Sequence, residues 1–382
     1  MYERVLSDEG EKGYCFFMLK ATLSRLLCPV CGSDLALREE VKEIFCQKCK
    51  CVYPILGGVA ILVQDVQEYL VQHVKGISRI VPDSEIPKKF RKQYLEAKSE
   101  IESEHIEEDL EAERVVSLYL MNHYLNVKPE KGGETDWWRS NVGSSSPLID
   151  SLVREHWDSG PFAKISEWVR ELNRIRPVDS VVELGCGVGG LARVLSGSAK
   201  SYLGIDSSFA SIALARHLIL GAPYPLELRV PGDLLQGVVS RKVRIPLPLS
   251  KPDGSIDFVV GDLDACPVAD GEFDVAVVLN AIDMMPEPAV LPQLQHRLLK
   301  KGGVAIQSCP YIWHEQVARD LREQLPSGVK DSAEAVEWLY QQQGFKVGQR
   351  IEHLPWLFFK HVRQLEIYSV HLFAAKKQSS SH

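Results

Sequence analysis

The chain has 382 residues, of which 45% are hydrophobic and 25% charged, with a net charge of −7. That length exceeds what one ordinary core needs, so two domains are expected, and the composition is that of a soluble globular protein. A chain this negative has no global attraction for nucleic acid, although a local basic patch stays open.

The apolar runs are strand-sized, so no transmembrane helix is expected, and the acidic N-terminus MYERVLSDEG is unlike a signal peptide. Nine cysteines without a secretory signal point to a reducing, cytoplasmic setting, where cysteine spacing is read as metal binding before disulfides.

Residues 28–51 read CPVCGSDLALREEVKEIFCQKCKC. Cys28 and Cys31 form one CxxC pair and Cys46 and Cys49 another, with fourteen residues between the pairs. Each CxxC turn can present two thiolates, and two turns close a tetrahedral site. Zn²⁺ suits four thiolates without redox chemistry, and a site with no open position is structural. Reduced core cysteines without metal are the plainer alternative. Cys51 makes a CxC with Cys49 and is read as a bystander, with an alternative ligand role left open.

Val52–Val63, VYPILGGVAILV, reads as strand, glycine turn and strand. Through CPVCGSDL, CQKC and YPILGGV, residues 26–64 resemble the small zinc-binding activator subunit of tRNA, ribosomal RNA and release-factor methyltransferases, and its short bacterial relatives. The resemblance implies a module that covers the apolar surface of a methyltransferase, here fused in cis, with a protein partner as the other option.

From residue 65 to 175 strand alternation is missing, and the charged, amphipathic segments read as helix, with a break at Gly160-Pro161. Trp137 and Trp138 either wall a pocket or pack one helix on another. The tail, 378–382, is expected to be disordered.

From Ser180 the pattern changes. VVELGCGVGG, SYLGID, IDFVVGDLD, DVAVVLN and GGVAIQSCP read as strands, with helix-length segments between them. Alternation of this kind predicts an α/β fold, a parallel sheet covered by helices, with ligands at the carboxyl ends of the strands. Gly185, Gly187 and Gly189 allow a tight turn and close backbone approach. Asp206 lies 17 residues beyond Gly189 at the next strand end, where a carboxylate can grip ribose hydroxyls, and Asp262 closes the third strand, where it can accept from an adenine amino group. Residues 231–255 interrupt the rhythm and are expected to form a flap over the cofactor edge.

As a set, ELGCGVG, Asp206, the Gly261-Asp262 strand end and LLKKGGVAIQS resemble the class I S-adenosylmethionine-dependent methyltransferases. This implies a Rossmann-like seven-stranded sheet with an antiparallel last strand, built from a hairpin of RIEHLPW and YSVHLFAAKK. It further implies that Glu183, Gly185, Gly187 and Gly189 cradle the methionine part of the cofactor, that Asp206 takes the ribose and that Asp262 takes the adenine. The division expected is a zinc ribbon at 1–66, a helical linker or cap at 67–175 and the methyltransferase domain at 176–377.

Asn280 ends the fourth strand and Asp283 follows three residues later. An amide or carboxylate there can accept from one nitrogen of an imidazole and aim the other, with its bare lone pair, at a methyl group. NAIDMMPEP, SCPYIW and LPWLFFKHVRQLEIYSV resemble the methyltransferase domain of ovothiol synthases and their protein histidine N-methyltransferase relatives. Asn280, Asp283, Pro286, Pro288, Pro310, Tyr311, Trp313, Pro355 and Arg363 fall on that pattern.

The chain departs from the pattern at Phe359 and at HEQVARDLREQ, and it has a zinc ribbon in place of the sulfoxide-synthase domain. Asn280, Asp283 and Tyr311 are the candidate acceptor residues. The alternative is that Asp283 only caps a turn and Asn280 only satisfies backbone. His314, His361 and His371 are read as surface or core, and Cys186 as a small filler.

The expected activity is N-methylation of a small-molecule or histidine-like acceptor. Two alternatives remain: an RNA methyltransferase using the zinc ribbon for recognition, and a non-catalytic cofactor-binding scaffold.

Overall fold

The structure, a computed structural model, describes residues 20, 22–103, 118–120, 122–124, 147–219, 225–229, 240–244, 255–361 and 364–378. Trp137, Trp138, Arg363, the tail beyond 378 and most of the expected 231–255 flap lie outside the described residues.

Four short strands come first: β1 (Leu35–Arg38), β2 (Glu43–Cys46), β3 (Val52–Leu56) and β4 (Val59–Leu62). Helices α1 (Val66–Gln72), α2 (Val74–Ser78) and α3 (Lys88–Ser103) follow. Next come α4 (Pro147–Ser159) and α5 (Pro161–Ile175), split where the sequence places Gly160-Pro161. A Cβ on Gly160 would lie 2.1 Å from the His156 carbonyl oxygen, so no larger residue fits that break.

The second half runs β5 (Ser180–Leu184), α6 (Gly190–Leu195), β6 (Ser201–Asp206), α7 (Phe209–Ile219), β7 (Pro225–Arg229), β8 (Ser240–Arg244), β9 (Ser255–Gly261) and β10 (Phe273–Leu279). It ends with α8 (Val290–Leu298), β11 (Leu299–Cys309), α9 (Glu315–Gln324), α10 (Ser332–Gln342), β12 (Phe345–His361) and β13 (Gln364–Lys377). β7 and β8 pair as a separate antiparallel hairpin, which includes residues 240–244 of the expected flap.

The other eleven strands form one sheet, in the order β1-β2-β3-β4-β9-β6-β5-β10-β11-β13-β12. SVVEL of β5 is buried throughout, and FDVAVVL of β10 is buried up to its last residue, as expected of parallel strands covered on both faces. β9, β6, β5, β10 and β11 are parallel, and β13 enters antiparallel to β11. This is the seven-stranded arrangement expected, with the β12–β13 hairpin closing it. From β5 the chain winds out one way to β9 and then crosses to β10 on the other side. The resulting crevice lies at the carboxyl ends of β5 and β10, where open α/β sheets bind ligands.

The cysteine-bearing strands are not a separate appendage. β4 pairs in parallel with β9 (Ile61↔Val260, Leu62↔Gly261), so β1–β4 extend the sheet. β4 is buried at every residue, a strand too apolar to stand at a free edge. The preceding segment grips the β9–β10 connection: Leu27 N donates to Pro267 O and Ala269 N to Arg25 O, both at 2.9 Å. Among the described residues no helix is long and apolar enough to cross a membrane.

Candidate functional site

Two knuckles bring the four cysteines together. Gly32 and Lys50 adopt φ of 67° and 62° after the two CxxC turns, and their N–H groups donate to Cys28 O at 2.8 Å and to Cys46 O at 3.0 Å. The sulfurs of Cys28, Cys31, Cys46 and Cys49 all lie within 4.8 Å of one another. Cys28–Cys49 and Cys31–Cys46 approach to 3.5 Å. Bonds of about 2.3 Å to a tetrahedral zinc would set sulfurs about 3.8 Å apart, so the residues fit that ion. Cys51 is outside the cluster; its carbonyl accepts from Cys46 N. The Tyr53 hydroxyl lies 2.9 Å from Cys28 Sγ, a polar neighbour for a thiolate.

The crevice begins where β5 ends. Gly185, Gly187 and Gly189 have φ of 74°, 52° and 75°, a region open to glycine and costly for other residues. An added Cβ at Gly185 would meet only Ala281 Cβ at 4.0 Å, and one at Gly187 only His123 Cε1 at 3.9 Å, so open space lies over this backbone. Asp206, at the end of β6, braces the loop: one carboxylate oxygen accepts from Gly187 N at 2.9 Å and the other from Ser208 N at 2.8 Å. Burial pushes its carboxyl up, against the pull of these two N–H groups. Asp262 follows β9, half-buried, and burial likewise pushes it up. The cradle and the two carboxylates fit an adenosyl cofactor.

Glu183 is placed differently from the expected methionine cradle. It is 3% exposed, and its carboxylate takes the hydroxyl of Tyr202 on β6. Burial is the main cause that pushes its carboxyl up to about 8. Cys186 packs as a buried filler, as expected.

The acceptor candidates gather at the ends of β10 and β11. Asn280 and Tyr311 both have left-handed backbone, φ 52° and 61°, an uncommon conformation that clusters at functional sites. Asn280 N donates to Ser308 O, and Ser308 Oγ donates to Asn280 Oδ1, both at 2.9 Å. Oδ1 keeps a second lone pair, so Asn280 can accept a further hydrogen bond as well as donate through Nδ2. Asp283 is 4% exposed and accepts from Ile312 N at 2.7 Å, so it braces the loop after β11.

Tyr311 stacks on Trp313 (5.9 Å between centroids, 14°), and its hydroxyl lies 2.7 Å from His371 Nδ1. His371 is a core residue at 2% exposure, as expected, with Glu337 and Glu352 carboxylates 3.4 and 3.5 Å from Nε2. Burial, with Arg350 nearby, holds its pKa down to about 4. His314 is exposed.

Sequence reasoning missed a helical turn that clamps the glycine loop. Tyr124 donates to Val188 O at 2.7 Å, and His123 Nδ1 accepts from Gly190 N at 3.2 Å. Asn122 holds both backbone groups of Phe359 on β12, at 2.7 and 3.2 Å. Burial is the main cause that lowers His123 to about 4, which keeps Nδ1 free to accept. Locally this segment reads only as amphipathic helix.

Residues 157–350 match the family model described as "Methyltransferase domain". A 2-methyl-6-phytyl-1,4-hydroquinone methyltransferase of Synechocystis sp. is 26% identical over 163 residues, 40% of this chain and 42% of that one. The chain spans about half the length of the curated methyltransferases it matches. A UPF0434 protein of Dechloromonas aromatica is 37% identical over 43 residues, 11% of this chain and 74% of that one, consistent with the cysteine module. The solved magnesium protoporphyrin IX methyltransferase of Synechocystis, with bound SAH, aligns at a TM-score of 0.38 and 14% identity, covering 70% of this chain and 100% of that one. With the strand order, the glycine loop and a family match over more than half its length, the chain belongs to the methyltransferase domain family, with a class I methyltransferase sheet.

Proposed function

We propose that the chain methylates a nitrogen of a small, flat, imidazole-like acceptor seated at the ends of β10 and β11. The reading is carried by the juxtaposition of Asn280 and Tyr311, two residues with left-handed backbone at the ends of adjacent strands that offer an amide oxygen, able to accept from a ring N–H, beside an aromatic face. The sulfonium cofactor supplies the activated methyl group, so the chain's task is to position the acceptor. A neutral imidazole carries a bare lone pair on one nitrogen, which takes the methyl group, and the other nitrogen then sheds its proton to solvent. A hydroxyl acceptor must lose its proton first, and the imidazole at hand, His371, sits behind the Tyr311 hydroxyl with its pKa held down.

In this reading Gly185, Gly187, Gly189, Asp206 and Asp262 line the cofactor crevice, and Glu183 supports it from within the sheet. Asn280 and Tyr311 wall the acceptor, and Asp283 acts by holding the Tyr311 loop. Cys28, Cys31, Cys46 and Cys49 hold a structural zinc ion. The proposed units are the ribbon to 66, the helical cap at 67–175 and the catalytic unit from 176, although the family match begins within the cap, at residue 157. Cysteines outside any disulfide at the metal site suit the reducing cytoplasm.

A second reading, O-methylation of a hydroquinone-like acceptor, is favoured by the names of the curated relatives and by Met284 and Ile312, which are 81% and 63% exposed beside Asp283 and Tyr311. Labelled S-adenosylmethionine offered with imidazole derivatives, with hydroquinones and with bulk RNA separates the readings. Label on an imidazole nitrogen supports the first, label on a phenolic oxygen the second, and label in RNA alone overturns both.

A further inference from the structure

Tyr69 and His73 lie on and just after α1, the helix that follows the cysteine-bearing strands, and neither belongs to the matched methyltransferase segment at 157–350. The parallel β4–β9 pairing carries α1 to the carboxyl end of β9, next to Asp262. Tyr69 is 6% exposed, and its hydroxyl donates to the carbonyl of Ser207, the residue after Asp206, at 2.6 Å. The His73 ring stacks on Tyr69, 4.0 Å between centroids and 17° between planes. The Tyr69–Ser207 bond therefore anchors both rings beside the turn that follows Asp206. Asp206 and Asp262 add to burial in pushing the Tyr69 phenol up.

The hydrogen bond of His73 selects its neutral tautomer. Nδ1 lies 3.0 Å from the carbonyl oxygen of Tyr69, which can only accept, so Nδ1 carries the proton. In the neutral tautomer this leaves the lone pair on Nε2, which is then the acceptor. His73 is half-buried, so the ring keeps an open edge. An acceptor nitrogen beside an acceptor carboxylate matches a ligand edge that donates twice. The 6-amino group of adenine is such an edge, and a 6-oxo purine is not.

We propose that His73, held in place by Tyr69, is a cofactor-specificity residue that accepts from the adenine amino group alongside Asp262, so the start of the helical cap completes the adenosine pocket of the catalytic sheet. This rests on Asp206 and Asp262 being the cofactor carboxylates. Tyr69 is a positioning residue, because it acts through Ser207 and the His73 ring.

The test is calorimetric binding of S-adenosylhomocysteine and of its inosine analogue to the full chain, with His73→Ala, His73→Gln and Asp206→Ala variants. For His73→Ala the adenosine ligand should weaken about fivefold, the effect of one hydrogen bond, while the inosine ligand is unchanged or gains. His73→Gln, which keeps an acceptor oxygen, should recover part of the preference. Asp206→Ala should weaken both ligands alike. Wild-type affinity and preference in His73→Ala, with Asp206→Ala impaired, would overturn the proposal and leave the carboxylate reading standing. An equal loss of both ligands in His73→Ala would also overturn it, because that outcome reduces His73 to packing. Unimpaired binding in Asp206→Ala would remove the reading underneath.

Discussion

The buried carboxylate of Asp283 accepts a 2.7 Å hydrogen bond from the backbone N–H of Ile312, tying the loop after β10 to the loop after β11. The bond fixes Tyr311, one residue before Ile312, relative to Asn280, three residues before Asp283. The two acceptor candidates therefore differ in kind: Asn280 can present its amide, and Asp283 holds the frame.

Asn280→Ala should leave S-adenosylmethionine affinity nearly unchanged and slow methyl transfer at least tenfold, equivalent to about 1.4 kcal/mol on the barrier. Asp283→Ala should slow transfer too, and should also lower the melting temperature, because a part-buried hydrogen bond is lost at a cost of about 1 kcal/mol. Single-turnover rates, cofactor binding and thermal melts on the same preparations separate the two. Equal melts for the two variants would contradict the division of roles.

Asp206→Ala should weaken cofactor binding by about 1.5–3 kcal/mol, the range for hydrogen bonds to a charged group. Two effects contribute: the ribose loses its acceptor and Gly187 N loses its brace. Calorimetric titration at wild-type affinity would move the ribose contact elsewhere.

The clamp on the glycine loop gives a pH-dependent prediction. Tyr124→Phe and His123→Ala should each weaken cofactor binding, by a factor of about 3–10 for one lost neutral hydrogen bond. The His123 pKa is lowered from 6.5 to about 4 in the folded chain. The unfolded chain therefore binds the extra proton first as pH falls, and the stability contributed by a neutral His123 is lost between about pH 6.5 and 4. Chemical denaturation at pH 7.5 and 5 should show a smaller acid loss for His123→Asn than for the wild type.

Glu183 acts in the opposite direction. Its carboxyl is raised from 4.5 to about 8, so the folded chain binds more protons between those values. Its stabilisation is complete below pH 4.5 and is lost as pH rises through about 8. Glu183→Gln imitates the protonated acid beside Tyr202. It should be more stable than the wild type at pH 8.5, by something on the order of 2 kcal/mol, and close to it at pH 5. Denaturant midpoints at the two values check this; a constant offset would mean that burial does not hold the proton.

The chain should bind about one zinc ion per molecule. Cys28→Ser or Cys46→Ser should release it. Because β4 pairs with β9 and Leu27 and Arg25 hold residues 267 and 269, metal loss should also loosen the Asp262 connection. Metal analysis with hydrogen exchange over residues 262–269 reads both effects. Undiminished metal in both variants would refute the four-cysteine site, and unchanged exchange after metal loss would refute the coupling.

Some of this was written in the sequence. Paired CxxC turns, the glycine cluster after a buried apolar run, and the alternation of strand- and helix-length segments are local patterns. They depend on backbone conformations and periodicities that a few neighbouring residues impose, and from them the cysteine turns, the glycine loop and a helix-covered parallel sheet were legible, while its seven strands were implied by the resemblance to class I methyltransferases. The break at Gly160-Pro161 was legible for the same reason.

Which groups meet across the fold was decided by tertiary packing. Local pattern makes β4 a strand, but only burial of its apolar face sends it to β9, about 200 residues away. Glu183 sits in a motif position, yet it faces Tyr202 because the pleat of β5 turns it there. Asn122, His123 and Tyr124 resemble any polar and aromatic residues on a helix until the fold lays them on Val188, Gly190 and Phe359. Asp283 carries the same side chain whether it touches substrate or braces a loop, and the nearby N–H of Ile312 gives it the bracing bond. Periodicity specifies which residues face inward, whereas the partner each one finds depends on the register in which distant segments pack.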